Sequence, residues 1–114
     1  MGGKNQHHIV KTIEATSPLQ TKTLFWLLFV GSRGETNRIR IMSALRNRPR
    51  NKNQLAIELG IDYKNIQHHI KVLEGNNLVK KTGNIYGVTY YVSALFENNK
   101  IVFDEIVARL RSIN

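Results

Sequence analysis

The sequence predicts a mainly α-helical chain with one small β-hairpin, an α+β class, and three observations predict it. Two short amphipathic segments meet at Gly60-Ile61-Asp62. Two β-prone runs flank Gly83-Asn84-Ile85-Tyr86-Gly87. A last segment carries Val102, Ile106, Leu110 and Ile113 in one stripe at helical spacing.

Along the chain, residues 1–16 have only Ile9, Val10 and Ile13 as apolar points and are expected to form a flexible N-terminal arm. Ser17-Pro18 reads as an N-cap followed by proline in the first helical position, opening a helix to about Val30. The Leu24–Val30 run (LFWLLFV) is also compatible with a buried strand, because so short an apolar run has no decisive period. Gly31-Ser32-Arg33-Gly34 breaks that element. A second helix is expected from about Glu35 to Asn47, with Ile41, Met42 and Leu45 on one face, and Pro49 ends it by pushing Arg48 out of helical geometry.

Asn51 with Gln54 three residues later matches a capping box and opens a short helix to Leu59, which Gly60 closes. Asp62 caps the next helix, whose Ile66, Ile70 and Leu73 face the core before Gly75-Asn76-Asn77 ends it. Leu78–Thr82 and Val88–Val92 are the strands of the hairpin, and a last helix is expected from Asn98 to about Ile113. The organisation is therefore an arm at 1–16, one domain at 17–93 and a C-terminal dimerisation helix at 94–114.

Charge narrows the partner. Seventeen Lys and Arg stand against eight Asp and Glu among 114 residues, a formal charge of +9. With a pI near 10.2, this is the footprint of a polyanion binder. The absence of cysteine excludes disulfides, thiolate metal sites and a Cys nucleophile. Leu24–Val30 is too short to span a bilayer, and its bulky aromatic flanks argue against a signal segment. Gln6 stands where a myristoylation signal wants Ser or Thr, so a cytoplasmic protein without membrane partners is expected. No paired acidic motif or Gly-rich phosphate loop points to an enzyme.

A Gly-containing turn between two short helices is the signature of a helix-turn-helix, here followed by a hairpin wing. The stretch NQLAIELGIDYKNIQHHIKVLEGNNLVKK, Asn53 to Lys81, resembles winged helix-turn-helix regulators of the ArsR and MarR type, particularly ArsR-like forms of archaea. The resemblance covers residues 24–93 and implies a double-stranded DNA-binding transcriptional regulator, a repressor, acting as a homodimer. Metal-sensing members of the type use paired cysteines, or Asp and His on the last helix. This chain has no cysteine and no His in its last helix, so metal sensing is not implied; no metal or cofactor is expected, and no small-molecule effector is evident in the sequence.

At about 100° per residue, Lys64, Gln67, His68 and Lys71 lie opposite the core arc of the second short helix and are the base-reading candidates. Tyr63 and Asn65 flank its N-terminus, where free N–H groups favour phosphate. Arg46, Arg48, Arg50 and Lys52 before the first short helix, with Lys80 and Lys81 at the wing root, are the phosphate-contact candidates. The wing tip, Asn84 to Tyr86, is expected to make backbone contact at most. Val102, Phe103, Ile106, Val107 and Leu110, joined by Trp26, are the dimer-interface candidates. His68 and His69 point about 100° apart and cannot chelate one ion together. His69 is expected to be a packed, hydrogen-bonded histidine, and His7-His8 carries no metal assignment. The competing function is a winged-helix module that binds protein or RNA without reading DNA sequence.

Overall fold

The computed structural model describes residues 18–30, 35–84 and 86–113. The expectations for the arm at 1–16, for Ser17, for Gly31–Gly34 and for Ile85 lie outside these residues. The order is α1 (Pro18–Phe29), α2 (Glu35–Asn47), α3 (Lys52–Leu59), α4 (Tyr63–Gly75), β1 (Val79–Asn84), β2 (Gly87–Val92), α5 (Ala94–Asn98) and α6 (Lys100–Ile113). The open choice for 24–30 resolves to helix. Among the described residues no helix is long and apolar enough to cross a membrane.

The caps act as the sequence implies. The Asn51 side chain accepts from the Gln54 amide at 2.7 Å while Gln54 Oε1 accepts from the Asn51 amide at 2.8 Å, a reciprocal box that starts α3. Gly60 ends α3 in the left-handed region at φ 63°, and its amide donates to the Ala56 carbonyl. Asp62 caps α4 by accepting from the Lys64 amide at 3.1 Å. Between these caps Ile61 is buried and plugs the turn. Ile66, Ile70 and Leu73 are all buried on the inner face of α4.

The wing is a two-stranded antiparallel hairpin, with Val79 opposite Val92 and Asn84 opposite Gly87. Gly83 is required at its narrow end. Its φ is 121°, and an added Cβ would sit 2.0 Å from the Gly87 carbonyl oxygen. A contact absent from the sequence-based picture joins the wing to the helices. Arg50 forms an isolated antiparallel bridge with Tyr90, its amide donating to the Tyr90 carbonyl at 3.1 Å and its carbonyl accepting from the Tyr90 amide at 2.8 Å.

The C-terminal region differs from the expected single helix starting at Asn98. Ser93 Oγ accepts from the Phe96 amide at 3.1 Å and starts the five-residue α5. Asn99 then interrupts, its side chain donating to the Leu95 carbonyl at 2.8 Å, and α6 begins at Lys100. The turn between α5 and α6 carries Phe96 and Phe103 into the same core as α1. Phe25, Phe29, Phe103 and Phe96 form a closed ring of contacts, with successive centroids 5.7, 5.1, 5.2 and 6.0 Å apart. Such aromatic pairs add to the burial that already dominates core energetics. Residues 94–113, expected as a dimerisation element, therefore also complete the core of the helices before them.

Candidate nucleic-acid interface

α4 lies with its core arc against α2 and α3 and its opposite arc in solvent. On that outer arc Lys64, Gln67, His68 and Lys71 are all exposed. They line one shallow cleft of about 550 Å³ together with Lys52 from the start of α3, Lys81 from β1, Tyr90 from β2, and Ile70 and Glu74. Four lysines from three elements thus converge on the face that carries the base-reading candidates.

Register explains which wing lysine belongs there. Lys81 is paired with Tyr90 and Lys80 with Tyr91, and successive strand residues point to opposite faces. Lys81 shares the cleft face with Tyr90, whereas exposed Lys80 shares the other face with Tyr91. Lys52 Nζ sits 5.6 Å from the Tyr90 ring centroid, which holds this cation at the cleft wall. Glu74 Oε2 lies 3.8 Å from Lys81 Nζ, a long, solvent-screened pair. Tyr63 lines a smaller recess beside Asn51, Lys52, Asn53 and Val88, at the N-terminus of α4. Asn65 is exposed but outside the cleft, and the exposed Tyr86 stands at the wing tip.

The arginines before α3 are divided by burial. Arg50 is 7% exposed. Its Nε donates to Glu58 Oε1 at 2.6 Å, and its Nη1 donates to the carbonyls of Ala44 and Arg48. A guanidinium so enclosed has no surface to offer a phosphate. Arg46 is drawn to the other side, its Nη1 2.6 Å from Asp104 Oδ1 on α6 and its guanidinium carbon 5.8 Å from the Phe96 and Phe103 rings. Both are phosphate candidates by position in sequence; Arg50 is enclosed by internal contacts, whereas Arg46 is exposed and paired with Asp104. Arg48 remains on the surface at 58% side-chain exposure, 3.7 Å from Glu58 Oε2.

The dimer candidates divide similarly. Phe103 and Ile106 are each 1% exposed and face the core of their own chain, so they present nothing to a second copy. Val102, Val107, Leu110 and Trp26 are half-buried against that core. On α1 and α6 the exposed large apolar side chains are Leu19, Leu27 and Ile101, at 74%, 64% and 70% exposure.

Two residues that sequence reasoning missed support α4 and its turn. Arg40 donates to the Leu59 carbonyl at the end of α3. Arg38, buried on α2, donates from Nε to the Leu28 carbonyl at 2.7 Å and lies with Nη1 3.3 Å from His69 Nδ1. His69 is buried and hydrogen-bonded as its position near the core boundary suggested. Burial, then the charge of Arg38, then His68, hold its pKa below the ordinary 6.5. The alternation of Arg with Ile in NRIRI gave no indication that one arginine turns inward.

Residues 35–81 match the family model described as bacterial regulatory protein, arsR family. The segment holds α2, the turn motif and the cleft face of α4. That segment is similar to the helix-turn-helix domain of the arsR family. No curated relative matches the chain in sequence. In three dimensions the chain is similar to the transcriptional regulator HlyU from Vibrio vulnificus. The identity is 18%, the TM-score is 0.59, and 89% of this chain and 96% of that one are covered. It is also similar to the reduced form of the transcriptional regulator YodB from Bacillus subtilis, at 21% identity and TM-score 0.59 over 82% and 89% of the two chains. A homodimeric winged helix-turn-helix DNA-binding domain from Mycobacterium bovis matches at 19% identity and TM-score 0.54 over 82% and 93%. These likenesses establish the winged helix-turn-helix fold. All three are bacterial, and none bears on the expected kinship with archaeal forms.

Proposed function

We propose that this DNA-binding transcriptional regulator reads double-stranded DNA in a sequence-specific way with the outer arc of α4, as a repressor and as a homodimer. The observation that carries the reading is the convergence of Lys64, Gln67, His68 and Lys71 with Lys52 and Lys81 on one exposed cleft. α4 is the second helix of the turn motif, the element that such folds lay in the major groove. Gln67 has the amide that pairs bidentately with adenine, and the lysines supply guanine or phosphate contacts. Lys52, Lys81 and Arg48 are the phosphate contacts in this account. Binding without catalysis is part of the same reading.

Gln67→Ala tests it. The variant is expected to lose about 1–3 kcal/mol on the preferred duplex and little on random duplex, with an unchanged salt slope. Lys52→Ala is expected to weaken both duplexes alike and flatten the slope by about one unit. Equal losses on both duplexes for Gln67→Ala would remove α4 as the reading element, and no duplex binding by the wild type at low salt, with no salt slope, would favour the module that binds protein or RNA.

Self-association is assigned to the exposed edge of α1 and α6, Leu19, Leu27 and Ile101, with half-buried Trp26 and Val102 beside it. Leu19 and Leu27 share one apolar surface of α1 with Trp26 and Val30, and Ile101 is exposed on the neighbouring α6, surface that a second copy would cover. That a structural neighbour is homodimeric supports self-association as such. Leu27→Glu is expected to give the monomer mass by light scattering while the helical circular dichroism is retained. A variant that keeps a wild-type dimer mass would contradict this interface.

A further inference from the structure

The inner face of α4 carries a polar contact that the cleft does not use. His69 is 5% exposed and Arg38 is 6% exposed, so both lie inside the fold among apolar side chains. Arg38 Nη1 is 3.3 Å from His69 Nδ1, and Arg38 Nε donates to the Leu28 carbonyl at 2.7 Å. Leu28 lies in the last turn of α1, where carbonyl groups lack partners further along the helix. One guanidinium on α2 therefore ties the end of α1 to the middle of α4.

The apolar contacts of Ile66, Ile70 and Leu73 hold α4 in place but are not directional. A buried hydrogen bond is directional, and losing it leaves polar groups unsatisfied. Because side chains on a helix are fixed at about 100° per residue, anchoring His69 also fixes where Gln67 and Lys71 point. We propose that Arg38 is a positioning residue for DNA reading, acting through His69 to set the rotation of α4 about its axis. The proposal rests on the reading of α4 given above.

The contact needs a neutral imidazole, with Nδ1 accepting from Arg38 and the proton on Nε2. The groups facing His69 can be named by element. From α2 comes the Arg38 cation, from α4 itself comes His68 with its ring centroid 5.2 Å away, and from α1 comes the Leu28 carbonyl, engaged by Arg38. Among the described residues no carboxylate forms an ion pair with His69. A proton on His69 therefore places a second cation against Arg38 and removes the acceptor, so acid releases α4 from α1.

The test uses the full chain and two probes, a duplex of about 20 bp enriched by the wild type from a randomised library and a random duplex of equal length. Arg38→Met is expected to lower the preference for the enriched duplex about tenfold, with random-duplex affinity and salt slope unchanged. The wild-type preference is expected to hold at neutral pH and to fall only as the pH drops below the ordinary imidazole value of 6.5, because burial and the Arg38 charge hold the His69 pKa below it. His69→Asn sets an amide oxygen where Nδ1 lies and takes up no proton. It is expected to keep the neutral-pH preference and to lack the acid loss. His68 is present in both proteins, so the difference between their profiles belongs to His69. Undiminished preference in Arg38→Met, or an acid loss in His69→Asn equal to that of the wild type, would overturn the proposal. If Arg38→Met does not fold, the comparison of pH profiles decides. A wild type that enriches no sequence would instead sink the reading of α4, and the positioning role with it.

Discussion

Replacing Arg50 by alanine is expected to destabilise the protein by about 2–3 kcal/mol, although the residue sits in a basic loop where surface substitutions are usually mild. The side chain is 7% exposed and donates to Glu58 and to the carbonyls of Ala44 and Arg48. Truncation removes one donor from each of these acceptors, although the Arg48 amide still donates to the Ala44 carbonyl at 3.3 Å and the Arg48 guanidinium remains 3.7 Å from Glu58 Oε2. Glu58 is 35% exposed, so water recovers part of its loss, which is why the figure lies below that for a wholly buried pair. The same residue bridges to Tyr90 through its backbone, so the loop that precedes α3 also anchors the wing. Arg48→Ala, two positions away with 58% side-chain exposure, is expected to stay within about 0.5 kcal/mol of wild type. Urea denaturation of the two variants separates them. Equal small effects on stability, with Arg50→Ala flattening the salt slope of DNA binding, would make Arg50 a phosphate contact after all.

A larger loss is expected from Phe103→Ala, about 3–5 kcal/mol, the range for deleting a buried aromatic side chain. Phe103 is 1% exposed, packs edge-on against Phe29 and Phe96, and lies beneath the Arg46 guanidinium. A domain of this size has only about 5–15 kcal/mol of stability in total, so thermal melting should shift far downward or vanish. Ile101→Ala, on the same helix at 70% exposure, should leave the melting temperature nearly unchanged. A Phe103→Ala protein that melts like wild type but has lost its dimer would mean that Phe103 faces a second copy instead.

These two residues show where sequence reasoning reaches its limit. The capping box at Asn51 and Gln54, Gly60, Asp62, and the spacing of Ile66, Ile70 and Leu73 are local signals, and each is found where its chemistry demands. Boundaries of α2, α3 and α4 were legible for that reason. The outer arc of α4 follows from the same spacing, so Lys64, Gln67, His68 and Lys71 could be grouped without a structure. Helical period also identifies the apolar stripe of α6, but period does not say which body covers the stripe. Phe103 and Ile106 turned out to face their own core because Ser93 and Asn99 bend the chain back through α5. Arg46, Arg50 and Arg38 were illegible in a different way. Their partners, Asp104, Tyr90 and His69, lie 58, 40 and 31 residues further along, and no local pattern marks such pairings.

The central claim, that DNA lies against the outer face of α4, is tested most directly by mapping amide chemical shifts of the labelled protein during titration with a short duplex at low salt. The largest changes are expected at Lys52, Lys64, Gln67, His68, Lys71 and Lys81, with little change along Val102–Leu110. Changes concentrated on α1 and α6, with α4 silent, would contradict it.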